Sequence, residues 1–152
     1  MKPMITFLAC LICIQLFACN KINKMTSSSI DTSNTDSMKL RISIGTTTFT
    51  AAFYNNATVA AFKSKLPMTI NMMDLNGNEK YFDLSKDLPS NASNPGTIQT
   101  GDLMLYGANT LVLFYKTFST PYNYTRIGRI DNPSGLAVAL GSGNKTVKFE
   151  LD

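Results

Sequence analysis

From Leu40 onward, apolar side chains recur at every second position in short runs, a period that admits strands and little else. In "KLRISI", Leu40, Ile42 and Ile44 point one way and Lys39, Arg41 and Ser43 the other. Gly45 marks a turn, after which Phe49, Ala51 and Phe53 repeat the pattern, as a hairpin partner would. At the far end, Val147, Phe149 and Leu151 alternate again and are expected to point inward. The run Leu111 to Tyr115 is apolar on both faces, which predicts a central strand covered on both sides. "MTINMM", "EKYF", "GDLMLY" and "YTRIGRI" supply further strands, and Asn76-Gly77 is a hairpin-turn signal. Two helical segments interrupt the series. "ATVAAFKSKL" can be capped by Asn55 or Asn56, carries Val59, Phe62 and Leu66 on one stripe, and is stopped by Pro67. The second opens on Asn132-Pro133 as N-cap and first helical residue, carries Leu136 and Leu140, and ends at Gly141. Strands outnumber helices. The expectation is a mainly-β fold, a closed barrel of about eight strands capped by two short helices.

The N-terminal part obeys different rules. All three cysteines, Cys10, Cys13 and Cys19, fall in the first nineteen residues. Met4 to Ala18 is apolar except for Thr6 and Gln15, and is shorter than the roughly 20 residues a membrane span needs. It suits the apolar core of a secretory signal, with Lys2 as the positive start. Leu16-Phe17-Ala18-Cys19 reads as a bacterial lipobox, with an apolar residue three before the cysteine and a small one just before it. Residues 1–18 are therefore expected to be a lipoprotein signal peptide and Cys19 the lipidated N-terminus of the mature chain. Cys10 and Cys13 have the spacing of a redox or metal pair, but no His, Asp or Glu accompanies them, and a reactive thiolate needs a polar or electropositive setting. They would leave with the signal. Several acyl chains hold a protein stably to a bilayer. Asn20, not Asp, follows the cysteine, which favours the outer membrane or the periplasmic face over the cytoplasm. Residues 19–37, with "TSSSIDTSNTDS", are too polar to bury a core and read as a flexible tether.

Residues 38–152 form one domain, large enough for a core and lacking any cysteine to staple it. It carries 11 Lys and Arg against 8 Asp and Glu, scattered along the chain. A nucleic-acid face would gather the basic residues into a stripe with interleaved aromatics, so no nucleic-acid partner is expected. The chain has no His, which removes the Ser-His-Asp triad and most nucleophile–base pairs. Asp74, Asn76, Asn78 and Glu79 resemble a calcium loop faintly, yet Asn-Gly there makes a hairpin turn more simply. "GSGN" at 141–144 follows a helix and precedes a strand, which is a helix stop and turn and not a phosphate cradle. Neither metal nor cofactor is expected.

The segments "MDLNGNEKYFDL", "NPGTIQTGDLMLYGANTLVLFYKT", "YTRIGRI" and "LGSGNKTVKFEL" resemble the bacterial cyclophilin-like proteins, a branch of the cyclophilin-fold superfamily, over about 39–152. The resemblance implies an eight-stranded barrel with a helix at each end. Cyclophilins catalyse cis/trans isomerisation at X-Pro bonds, against a barrier of about 18–20 kcal/mol set by amide resonance. They use an arginine, an apolar pocket and polar donors. The resemblance places the family arginine in "EKYFDL", which has none. It places the family glutamine at Leu111 or Val112, a pocket phenylalanine at Phe114 and the imidazole at Tyr124. The apolar floor persists and the polar machinery does not.

Tyr106, Tyr115, Tyr122 and Tyr124 crowd the region that would border the cleft, and tyrosine offers large contact area with a polar tip. If they do more than pack, the cleft is expected to be lined by Glu79, Tyr81, Met104, Tyr106, Phe114, Tyr124 and Arg126, with Arg126 able to take a carboxylate or carbonyl. The sequence thus predicts a lipid-anchored envelope protein whose barrel binds a peptide or small molecule without catalysis. The alternative is a prolyl isomerase with a rearranged site.

Overall fold

A computed structural model describes residues 38–152. The signal segment, Cys19 and the tether lie outside the described residues. The chain order is β1 (Leu40–Ile44), β2 (Thr47–Phe53), α1 (Ala57–Lys63), β3 (Met68–Leu75), β4 (Glu79–Asp83), β5 (Thr97–Ile98), β6 (Asp102–Tyr106), β7 (Thr110–Phe114), β8 (Phe118–Ser119), β9 (Tyr124–Ile130), α2 (Leu136–Leu140) and β10 (Lys145–Leu151). Eight strands close into an antiparallel barrel in the order β1-β10-β3-β4-β7-β6-β9-β2, and β5 pairs with β8 as a separate two-stranded strap. The expected closed barrel with two helices is therefore the fold.

Alternation builds the interior. Leu40, Ile42 and Ile44 of β1, Phe49 and Ala51 of β2, and Val147 and Phe149 of β10 are all buried in one core. Each of these side chains larger than alanine contributes roughly 1.5–3 kcal/mol by leaving water. Leu151, expected inward, is 37% exposed. It is the last residue of β10, opposite Leu40. β7 is covered on both sides as predicted: Leu111 and Leu113 face the barrel core, and Val112 and Phe114 belong to a second apolar cluster outside it. Asn76 (φ 53°) and Gly77 (φ 62°) take the left-handed conformations that a tight β3–β4 hairpin turn demands.

The helices plug the barrel. Asn56 caps α1 by accepting from the Val59 N–H at 2.9 Å, and its side-chain amide donates to the Arg126 carbonyl at 2.8 Å, tying the helix to β9. Val59 and Phe62 point into the core, where the Phe62 ring meets Phe149 edge-on at 6.2 Å. α2 departs from the expected start. It opens after Gly135, in the left-handed region, and not at Asn132-Pro133. Asn132 instead accepts from the Ser134 N–H at 3.1 Å, a local turn that competes with helix initiation. No helix among the described residues is long and apolar enough to cross a membrane.

Candidate functional site

The site lies on the outer face of β4, β7, β6 and β9. Residues pointing out from these strands would normally meet water. Here they are large and apolar, and the strap roofs them. Ile98, Met104, Val112, Phe114 and Tyr124 form a buried cluster, with Tyr81 and Phe118 packed against it. Pairing aligns them: Tyr81 opposes Val112, Val112 opposes Met104, and Tyr106 opposes Tyr124. The strap is fastened by Thr120 N–H to Gly96 O at 3.0 Å and by reciprocal 3.0 Å bonds between Ser93 and Tyr124. It lays Ile98 onto the cluster beside Phe118.

Five rings run in contact across this face. Centroids are 5.8 Å apart for Phe118–Phe114, 5.5 Å for Phe114–Tyr124, 5.5 Å for Tyr124–Tyr106 and 6.1 Å for Tyr106–Tyr122. These tilted and edge-on geometries are the ones ring quadrupoles favour. Between the row of rings and β4 opens a cavity of about 550 Å³, within the range of about 300–1,000 Å³ usual for small-molecule sites.

The sequence-predicted residues distribute as follows. Glu79, Tyr81, Tyr106 and Tyr124 line the cavity. Met104 and Phe114 are not among the lining residues; they are buried in the cluster behind it. Arg126 is not among the lining residues. It sits two residues past Tyr124 on β9, where its guanidinium donates to the Tyr54 hydroxyl at 3.2 Å and lies over that ring. About 6.6 Å of strand rise separates it from Tyr124. The lining absent from the expected set is Leu75, Asn76 and Asn78 at the β3–β4 turn, Asp83 and Thr110 at the other end, Val112 on β7, and the 118–122 segment. Only Tyr122 of that segment had stood out, and no periodicity marks the rest.

The polar character of the wall is one-sided. Glu79 and Asp83 are the charged residues of the lining, which holds no Lys or Arg, although the chain carries a net charge of +4. Asp83 accepts from the Thr110 hydroxyl at 2.6 Å. Burial pushes the Glu79 carboxyl up to about 7. Burial likewise pushes the Tyr124 phenol up, with the neighbouring Glu79 adding to it. Asn78 Oδ1 is buried with no hydrogen-bond partner among the described residues. The described residues contain no group of three His, Cys, Asp or Glu placed to hold a metal ion.

A closed eight-stranded barrel with a helix at each end and an aromatic cavity on its outside defines a cyclophilin-type domain. The model of the Cyclophilin-like family matches residues 42–150, and the chain belongs to that family. Among solved structures, it is similar to a hypothetical protein from Archaeoglobus fulgidus known from a solution structure. The two are 22% identical over 75% of this chain and 94% of the other, with a TM-score of 0.49. No curated protein matches the chain.

Proposed function

We propose that this is a lipid-anchored cell-envelope protein whose cyclophilin-like domain binds a peptide or small ligand in the outer-face cavity without transforming it. The observation that carries the binding role is the row of rings from Phe118 to Tyr122 beside a cavity of about 550 Å³. A barrel needs no second apolar cluster outside its core to stand. Placing one there, and leaving Tyr106 and Tyr122 46% and 57% exposed at its rim, favours contact with another molecule. Against catalysis stands the lining itself. Weakening amide resonance takes a cationic donor at the prolyl nitrogen; the lining holds no Lys or Arg, and the Arg126 guanidinium is engaged by Tyr54.

The anchoring part rests on Leu16-Phe17-Ala18-Cys19 and the polar stretch after it. Incorporation of a labelled fatty acid in cells, lost in Cys19→Ala, tests it. The binding part is testable without a label. The chain has no Trp, and four of its six tyrosines line the cavity. Tyrosine emission of the full chain is expected to respond saturably to a ligand, while X-Pro peptides isomerise no faster than in buffer. Isomerisation abolished by Arg126→Ala would instead make the protein an enzyme.

A further inference from the structure

Resting on that reading, we infer that the cavity's ligand is an extended organic cation, carrying ammonium groups on an aliphatic stem.

Two independent features of the cavity converge on this. The first is the charge of the wall. In a domain with more basic than acidic residues, the lining carries Glu79 and Asp83 and no base. Glu79 has no hydrogen-bond or ion-pair partner among the described residues. Asp74, five residues earlier, has both Lys80 and Tyr115. A carboxylate without a partner asks for a donor with several N–H groups, which an ammonium supplies and a carboxylate or phosphate does not. The second is the aromatic wall. Tyrosine faces attract cations by their quadrupole, and the attraction grows when the cation leaves water. They also cover an aliphatic stem.

The spacing sets the length. Glu79, Tyr81 and Asp83 alternate on the outward face of β4. Their rise places the two acids about 13 Å apart along the strand, with the Tyr81 ring between them. One metal ion cannot bridge that distance. A linear diamine or polyamine can, and so can two basic side chains of an extended peptide. These sources share one chemistry. Burial holds the Glu79 carboxyl near 7, so an arriving cation would ionise it and neither charge would be left alone.

The test is a titration of the full chain in a neutral detergent, read by tyrosine emission and calorimetry. The probes are 1,8-diaminooctane, its neutral isostere 1,8-octanediol, the dianion suberate, and short 1,3-diaminopropane. Blocked Lys-Gly-Lys and norleucine-Gly-norleucine peptides form the second arm. The diamine is expected to bind at least about tenfold more tightly than the diol, and suberate not at all. Glu79→Gln is expected to weaken the diamine about tenfold, Asp83→Asn to erase its advantage over diaminopropane, and Arg126→Ala to change neither. Diamine tighter than the lysine peptide identifies a free polyamine, and the reverse a basic peptide. Equal binding of diamine and diol, or diamine binding indifferent to both acid substitutions, overturns the inference. Binding of the neutral norleucine peptide alone overturns it too, and leaves the ligand-binding reading standing. Silence across the whole panel, neutral peptides included, removes both.

Discussion

Lys80 Nζ sits 2.6 Å from Asp74 Oδ1, directly across the β3–β4 pair, with its side chain wholly out of solvent. A buried ammonium is costly unless every donor is met. Here the other two donors reach the Gly141 and Gly143 carbonyls at 2.9 and 2.6 Å, and the Tyr115 hydroxyl donates to the same Asp74 oxygen at 2.7 Å. The cluster locks β3, β4, the segment just after β7 and the turn after α2 to one another. The neighbouring Glu79, on the opposite face of the same strand, is left without a partner. Adjacent residues thus divide the work: Lys80 closes the barrel's end and Glu79 faces the cavity.

Removing Asp74 leaves a buried, uncompensated charge. Asp74→Ala is expected to cost about 3–5 kcal/mol in urea unfolding, and Lys80→Met less, because methionine keeps the stem's volume and the partly exposed carboxylate can be hydrated. The bond from Lys80, then that from Tyr115, hold the Asp74 carboxyl below its ordinary 3.8. Its contribution is present above that value and is lost as pH falls through the lower folded one. The midpoint of the wild type should therefore drop below about pH 4 more steeply than that of Asp74→Asn. Equal slopes would refute the role of the pair.

The Glu79 carboxyl behaves in the opposite sense. Burial raises it from 4.5 to about 7, so the folded chain holds that proton more tightly than the unfolded one. Stability is unaffected below 4.5, falls as pH rises through the interval up to about 7, and is flat above. The groups around it are Asn76 and Asn78 from the turn, Tyr81 and Asp83 on its own strand, Phe114 at the end of β7 and Tyr115 just after it, and Tyr124 on β9. Asp83 is the other carboxylate of the lining, at the far end of the same strand. Glu79→Gln is expected to flatten the decline and to be more stable than wild type at pH 8. Cation affinity should rise over the same interval, and a carboxyl chemical-shift titration reads the ionisation directly.

The sequence was informative where periodicity and turn chemistry act. Leu40, Ile42 and Ile44, the doubly covered Leu111–Phe114 strand and the Asn76-Gly77 turn each follow from local pattern, and the barrel follows from their number. The site was half legible. Glu79, Tyr81, Tyr106 and Tyr124 stand out as polar-tipped or charged residues on strands. The strap does not, because β5 and β8 are two residues each and exist only through their pairing. Arg126 was misleading because sequence distance from Tyr124 hides direction along the strand: two residues onward lies Tyr54 and not the cavity. The start of α2 was misplaced because Asn132 serves a turn as readily as a cap.

Where β9 meets β2, backbone approach decides the residue. Gly128 pairs with Phe53, and a Cβ built on it would stand 2.9 Å from the Ala52 carbonyl oxygen. That neighbour is backbone inside the closing seam and cannot swing aside. Gly128→Ala is expected to lower stability by about 1–3 kcal/mol. A matched substitution at Gly107, where a Cβ meets open space but φ is 60°, should cost about 1 kcal/mol through strain alone. Urea midpoints in the reverse order would contradict the packing argument.

Tyr124 and Arg126 share a strand face but not a role. Tyr124 touches Phe114, Tyr106 and the cavity at once, whereas Arg126 anchors to Tyr54 and its carbonyl to Asn56. Tyr124→Leu keeps an apolar side chain but breaks the row of rings. Losing one ring contact to the ligand, about 1 kcal/mol, should weaken an aromatic-dependent ligand roughly fivefold. Tyr124→Phe keeps the row and should retain affinity within about twofold, unless the phenol itself bonds the ligand. Arg126→Ala removes a half-buried cation whose carbonyl bond to Asn56 survives, so α1 stays docked and affinity holds. Calorimetric titration of the three variants with 1,8-diaminooctane separates the outcomes. A loss in Arg126→Ala as large as in Tyr124→Leu would mean the site extends along β9 toward Tyr54, and the cavity by β4 would be only part of it.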